Sequence, residues 1–165
     1  MKWYNLMNDH KHEHLAGEKP GSHRNQTVLM LVFFIVWVAD SFLLQLTAFL
    51  FSWSYVWLNI IVGLVVLGMS IYFMDASHKD LFNTEDKGLA TKGVFSHVRN
   101  PMYLGTVLFY LGLSLLTLSL AALVVWLVIC MYYNVLANYE EIKLQEKFGD
   151  EFLEYKKTVR KWIPT

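Results

Sequence analysis

The sequence has one cysteine and three prolines, and only 17% of its 165 residues are charged. A single thiol excludes an intrachain disulfide and any multi-cysteine metal site, so Cys130, inside an apolar run, is read as a packing residue. No cleavable signal peptide is expected. The first apolar run begins only at residue 27, behind a polar stretch, and is long enough to serve as its own insertion signal. Basic residues are missing from the short breaks FSWS (51–54) and LTLSL (116–120), and all 14 fall in the N-terminal segment, the 75–101 segment or the C-terminal tail. By the positive-inside rule, both termini and the middle loop are expected to be cytoplasmic.

What the chain does have is apolar residues, 55% of the total, with a positive mean hydropathy. That composition excludes an ordinary soluble domain and predicts an integral membrane protein, expected in the cell (inner) membrane. The runs Thr27 to Leu50 and Ser54 to Met74 are each long enough for one helix across about 30 Å of hydrocarbon. The run from Met102 to about Ala137 is too long for one span and is broken by Ser114, Thr117 and Ser119, which predicts two helices with a turn near 117–120. The expectation is therefore an all-α fold of four transmembrane helices, ending in a helical hairpin and an amphipathic cytoplasmic tail helix. Three regions follow: a polar cytoplasmic N-terminal segment (1–26), two transmembrane helices (27–74), and an interfacial loop, hairpin and tail (75–165).

His10, His12 and His14 alternate in a segment broken by Gly17, Pro20 and Gly21. Nothing there enforces the geometry a metal needs, so a solvated tail is expected and no metal site. Asp40 is the acid placed inside a span, where a charge is costly. Either it is hydrogen-bonded for helix packing, with a serine, Gln45 or Asn59, or it stands at the far end of a substrate cavity. Gly149 is expected to interrupt the last helix, and Phe148, Phe152, Tyr155, Trp162 and Ile163 would fold the tail back on the membrane surface or on the core.

Two polar stripes mark the third apolar run. Tyr103, Thr106, Tyr110, Ser114 and Thr117 share one helical face, and Cys130, Asn134, Asn138 and Glu141 share another. Either stripe alone is compatible with polar glue between membrane helices. In a hairpin both would face one cavity opening beside Arg99 and the Glu140–Glu141 pair. Carboxylates at a helix C-terminal end oppose the helix dipole, which suggests a use if the helix ends there. Pro101 suits the first turn of a helix and biases Asn100 towards extended backbone, leaving amides of that helix start available to a ligand carboxylate.

The run GVFSHVRNPMYLG, followed by EEIKLQEKFGDEFLEYKKTVRKWIP, resembles the C-terminal half of the isoprenylcysteine carboxyl methyltransferase family and its phospholipid methyltransferase relatives. The likeness covers roughly residues 88 to 164. It implies a membrane-embedded methyltransferase that binds S-adenosylmethionine at the cytoplasmic face and meets a lipophilic or small acceptor from the bilayer. Arg99, Pro101, Tyr103 and Gly105 match the first motif, Glu140, Glu141, Leu144, Phe148 and Gly149 the second, while Gly93 and His97 stand in the approach to the cofactor pocket. With Asn100 and Asn138 these form the expected cofactor set, and Glu141, Arg160 and Asn100 the expected catalytic set. Asn100 replaces the family's histidine and cannot carry a proton at neutral pH. Phe152 replaces a tyrosine.

A carboxylate acceptor would need a cation such as Arg160, whereas an amine or thiol would need a base, for which Glu141 or Asp40 is available. Membrane lipid is an expected partner and nucleic acid is not; the residues specify no protein partner. Two other classes stay open: a nicotinamide-dependent membrane reductase of sterol-reductase type, and a non-enzymatic metal-handling membrane module.

Overall fold

In the computed structural model, residues 19, 21–48, 56–82 and 88–164 are described, and the described residues form helices without a strand. Gly17, Pro20 and the His10–His12–His14 alternation lie outside them. Helix α1 spans Ser22–Val38 and continues as a π-helical turn, Ala39–Leu44. Helix α2 is Val56–Phe82, α3 Pro101–Thr117, α4 Leu120–Phe148 and α5 Asp150–Thr158. Three helices, Ser22–Leu44, Val56–Leu81 and Leu120–Phe148, are long and apolar enough to cross a membrane, and α3 is a shorter apolar helix.

Glycine sets the closest approach, that of α2 to α3. A Cβ on Gly105 would lie 2.7 Å from Met74 Cγ and 3.0 Å from the Ser70 carbonyl, and one on Gly112 would lie 2.7 Å from Leu67 Cγ. Ser70 Oγ uses that proximity to donate to the Gly105 carbonyl at 2.8 Å. Such small-residue contacts stand in for the hydrophobic drive that lipid removes.

The hairpin turns at Leu118, in the left-handed region at φ 48, and Ser119 caps α4 by accepting from the Ala122 amide at 3.1 Å. The end of α1 is fastened to this turn. Trp37 Nε1 donates to the Leu113 carbonyl at 3.0 Å and to Thr117 Oγ1 at 3.1 Å, and Ser41 Oγ donates to Thr117 Oγ1 at 2.9 Å. Asp40 accepts from the Thr47 amide at 2.9 Å and from the Thr47 and Ser119 hydroxyls. It therefore serves packing at the hairpin turn, with Ser119 as the expected serine and Thr47, rather than Gln45 or Asn59, as its other partner.

One helix overruns its expected end. The stretch DASHKDLF contains no breaker and carries an i,i+4 pair, Asp75–Lys79, so α2 continues eight residues past Met74. Helix α4 ends where expected: it runs seven residues past Glu141 before Gly149, at φ 54, turns the chain. Glu140 and Glu141 are thus inside a helix, and the dipole argument does not apply to them. Beyond Gly149, α5 packs Phe152, Tyr155 and Val159 against Leu89, Leu144 and Phe148. Its apolar face is spent on the protein core, and Trp162 packs on the main bundle cluster.

Candidate functional site

The approach to α3 is irregular because each residue there answers to a different partner. Gly93, at φ +61, brings its Cα against the Asp80 carboxylate, where a Cβ would sit 2.0 Å from Oδ2. That oxygen accepts from the Val94 amide at 2.7 Å and starts the 3-10 turn Gly93–Ser96. Val98 then pairs with Arg160 in a single parallel bridge, and the Arg99 amide donates to the Arg160 carbonyl at 3.0 Å. Pro101 opens α3, and the Leu104 amide closes its first turn on the Asn100 carbonyl at 2.9 Å.

Around this junction three polar groups assemble. Glu141, 6% exposed, is the centre of the first. Its Oε1 lies 3.3 Å from Arg99 Nη2 and accepts from Asn100 Nδ2 at 3.2 Å, while Oε2 lies 3.4 Å from Lys156 Nζ. Arg99 Nη1 also donates to the Lys156 carbonyl at 3.2 Å. Arg99 Nε is buried with no hydrogen-bond partner among the described residues. A charged donor left in that state is costly, which marks the place for an anionic acceptor.

The second group is half-buried. The Tyr103 hydroxyl donates to Glu140 Oε1, and the Tyr103 ring lies 5.3 Å from that of Tyr133. In the third, Lys161 Nζ donates to Asn138 Oδ1 at 2.5 Å and Asn134 Oδ1 at 3.2 Å, and Trp162 Nε1 donates to Asn134 Oδ1 at 3.2 Å. Tyr155 binds the assembly to the 3-10 turn, its hydroxyl donating to the Phe95 carbonyl at 2.6 Å. Burial pushes that hydroxyl up to about 12, with Arg99 pulling it down and Glu141 pushing it up.

Of the residues expected from sequence, Arg99, Asn100 and Glu141 meet directly, and Tyr103 with Glu140 stands beside them. Asn138 joins through Lys161. Pro101 and Gly105 are buried as helix start and helix crossing. Gly93 faces Asp80, and exposed His97 places Nδ1 3.0 Å from Ser96 Oγ and 3.3 Å from the Gly93 carbonyl. Arg160 contributes its carbonyl, while its side chain is exposed. The α3 stripe does not line one cavity along its length. Tyr110 packs on Phe33 at 4.7 Å, Ser114 donates to the Tyr110 carbonyl, and Thr117 accepts from α1.

Sequence reasoning missed Asp80 and Lys161; it expected a glutamate of the pair to meet Arg99 or a tail lysine without singling out Lys156, and it expected Tyr155 only as a packing residue of the tail. The spacing of 152, 155, 156 and 159 carried the signal for the tail, since these positions share one helical face. The sequence profile described as phospholipid methyltransferase matches residues 53–151. No curated protein matches the chain.

Proposed function

This chain belongs to the phospholipid methyltransferase family, and from that premise we propose that it transfers a methyl group from S-adenosylmethionine to a lipid acceptor at a membrane surface. The carrying observation is the Arg99–Glu141–Lys156 cluster with its unpartnered Arg99 Nε. A ligand with both an ammonium and a carboxylate fits these residues. Arg99 Nε offers a donor to the carboxylate, half-buried Glu140 offers an oxygen to the ammonium or a ribose hydroxyl, and Tyr103 with Tyr133 offers aromatic surface. When bound, the donor supplies a methyl on a cationic sulfur, open to in-line attack by a nucleophile.

The protein's part is alignment and exclusion of water. Glu141, holding Arg99, Lys156 and Asn100, is a positioning residue in this reading rather than a base. Asn100 replaces a protonatable group and acts through the Glu141 hydrogen bond. Gly93, His97, Pro101 and Gly105 shape the approach, and Asn138 acts through Lys161. The reading includes four spans, with α3 as the shortest, both termini and the site cytoplasmic, and the half from residue 75 onward carrying the chemistry.

The test is calorimetric binding of S-adenosylhomocysteine to the detergent-purified chain, beside Arg99→Ala and Glu140→Ala variants whose folding is checked by circular dichroism. Saturable binding by the wild type, lost in both variants, is expected. A folded wild type that binds nothing in detergent or in lipid overturns the proposal.

A further inference from the structure

Lys161 lies ten residues beyond the end, at 151, of the segment that matches the family profile. Its ammonium is half-buried against two asparagines of α4 and has no carboxylate within ion-pair distance among the described residues. An ammonium has three hydrogens. Asn138 Oδ1 and Asn134 Oδ1 take two, at 2.5 and 3.2 Å, and the next acceptor among the described residues, the Asn134 carbonyl, is at 3.5 Å, so the third is open to a ligand oxygen. The charges acting on this group are Glu141, Arg99 and Lys156, and the last two already pair with Glu141. Burial lowers the Lys161 pKa, Glu141 raises it, and Arg99 and Lys156 lower it further. Holding a cation there disfavours the empty state, and an incoming negative oxygen removes the penalty.

Position along α4 adds a second argument. Asn138 and Asn134 precede Glu141 by three and seven residues, which places them about 4.5 and 10 Å deeper towards the apolar middle of the bundle. Trp162, beside Lys161, is itself anchored on Asn134 and packed on the bundle core. A cation with an indole at that depth suits the boundary between headgroups and hydrocarbon.

We propose that Lys161, steered by Asn134 and Asn138, binds an anionic oxygen of a ligand of this site, either the phosphate of the lipid acceptor or the carboxylate of the methyl donor. This rests on the methyltransferase reading, and the depth of Lys161 favours the phosphate.

Binding decides between the two sources. The full chain in a maltoside detergent is titrated with S-adenosylhomocysteine, with 5′-methylthioadenosine, which lacks the amino-acid part, and with O-phosphoethanolamine. The variants are Lys161→Met, Lys161→Arg and, as a control, Lys157→Met, whose exposed side chain pairs with Glu154. Loss of one charge-assisted hydrogen bond predicts affinity about tenfold weaker in Lys161→Met, with partial recovery in Lys161→Arg and no change in the control. Weakening confined to O-phosphoethanolamine assigns Lys161 to the headgroup. Weakening for S-adenosylhomocysteine and not for 5′-methylthioadenosine assigns it to the donor carboxylate. Unchanged affinity for all three probes in Lys161→Met overturns the proposal. A wild type that binds O-phosphoethanolamine but neither nucleoside overturns the donor reading while leaving the anion contact standing.

Discussion

Two buried carboxylates, Asp40 and Glu141, stand at opposite ends of the same bundle, 5% and 6% exposed, and are satisfied by opposite means. Asp40 accepts from two hydroxyls and one backbone amide, all neutral donors supplied by the α1 end and the hairpin turn. Glu141 is met by Arg99, Lys156 and Asn100, drawn from the approach to α3 and from the tail. The 17 residues of α3 separate the two ends by about 25 Å. A carboxylate closed by neutral donors from its immediate neighbours fixes a helix contact. One ringed by more cations than it can neutralise, beside an unpartnered guanidinium nitrogen, leaves charge for something else to meet. The difference also removes Asp40 from the choice of bases, since the hairpin turn that holds it is far from Arg99 and Glu140.

The sharpest way to break this comparison is to remove each carboxylate. Glu141→Ala strands a buried Arg99 and is expected to cost about 3–5 kcal/mol of stability while abolishing S-adenosylhomocysteine binding. Asp40→Ala leaves the Thr47 amide and two hydroxyls without their acceptor and is expected to cost about 2 kcal/mol, with binding retained in the folded protein. Asp40→Asn should be milder, because hydroxyls can turn to accept from the amide. Thermal melts in detergent read the first quantity and calorimetry the second; loss of binding in a folded Asp40→Ala protein would show the two ends to be coupled.

A smaller effect separates two glycines that both have positive φ. Gly93→Ala drives a methyl into the Asp80 carboxylate and should weaken ligand binding about tenfold. Gly149→Ala meets open space, so only the backbone strain of its φ 54, ψ −123 conformation remains, about 1–3 kcal/mol, visible as a lowered melting temperature with affinity unchanged.

The smallest effect belongs to Tyr155. Tyr155→Phe removes one hydrogen bond, about 1 kcal/mol, by an amount that stays constant from roughly pH 6 to 9 because the raised pKa keeps the hydroxyl protonated. Because the folded-state pKa lies above the unfolded one, the folded protein holds this proton longer as pH rises. Wild-type stability should therefore fall as pH climbs from about 10 towards 12, and the Phe variant should lack that component. Denaturation followed across this range, with both proteins side by side, reads it.

Much of the architecture was legible because it follows from local properties. Apolar runs longer than a bilayer, a break at Ser114 to Ser119, Pro101 at a helix start and Gly149 at a helix end are each written within a few residues. So was the company of Arg99, Asn100 and Glu141, through paired motifs that fold from adjoining helices. Helix ends were less legible. The polar stretch after Met74 reads as loop by hydropathy, yet nothing in it breaks a helix.

What the sequence by itself determined is a helical membrane protein with a polar junction at one end of a hairpin, because hydropathy and backbone stereochemistry act over short distances. Only the tertiary structure decided that Glu141 is enclosed and Glu140 half-open, that Gly93 yields to Asp80, and that Lys156 and Lys161 complete the site from a tail folded onto the core. Those outcomes depend on which faces meet across the fold, and adjacent residues on a helix point about 100° apart. Neighbouring glutamates therefore inherit different surroundings from the same local sequence.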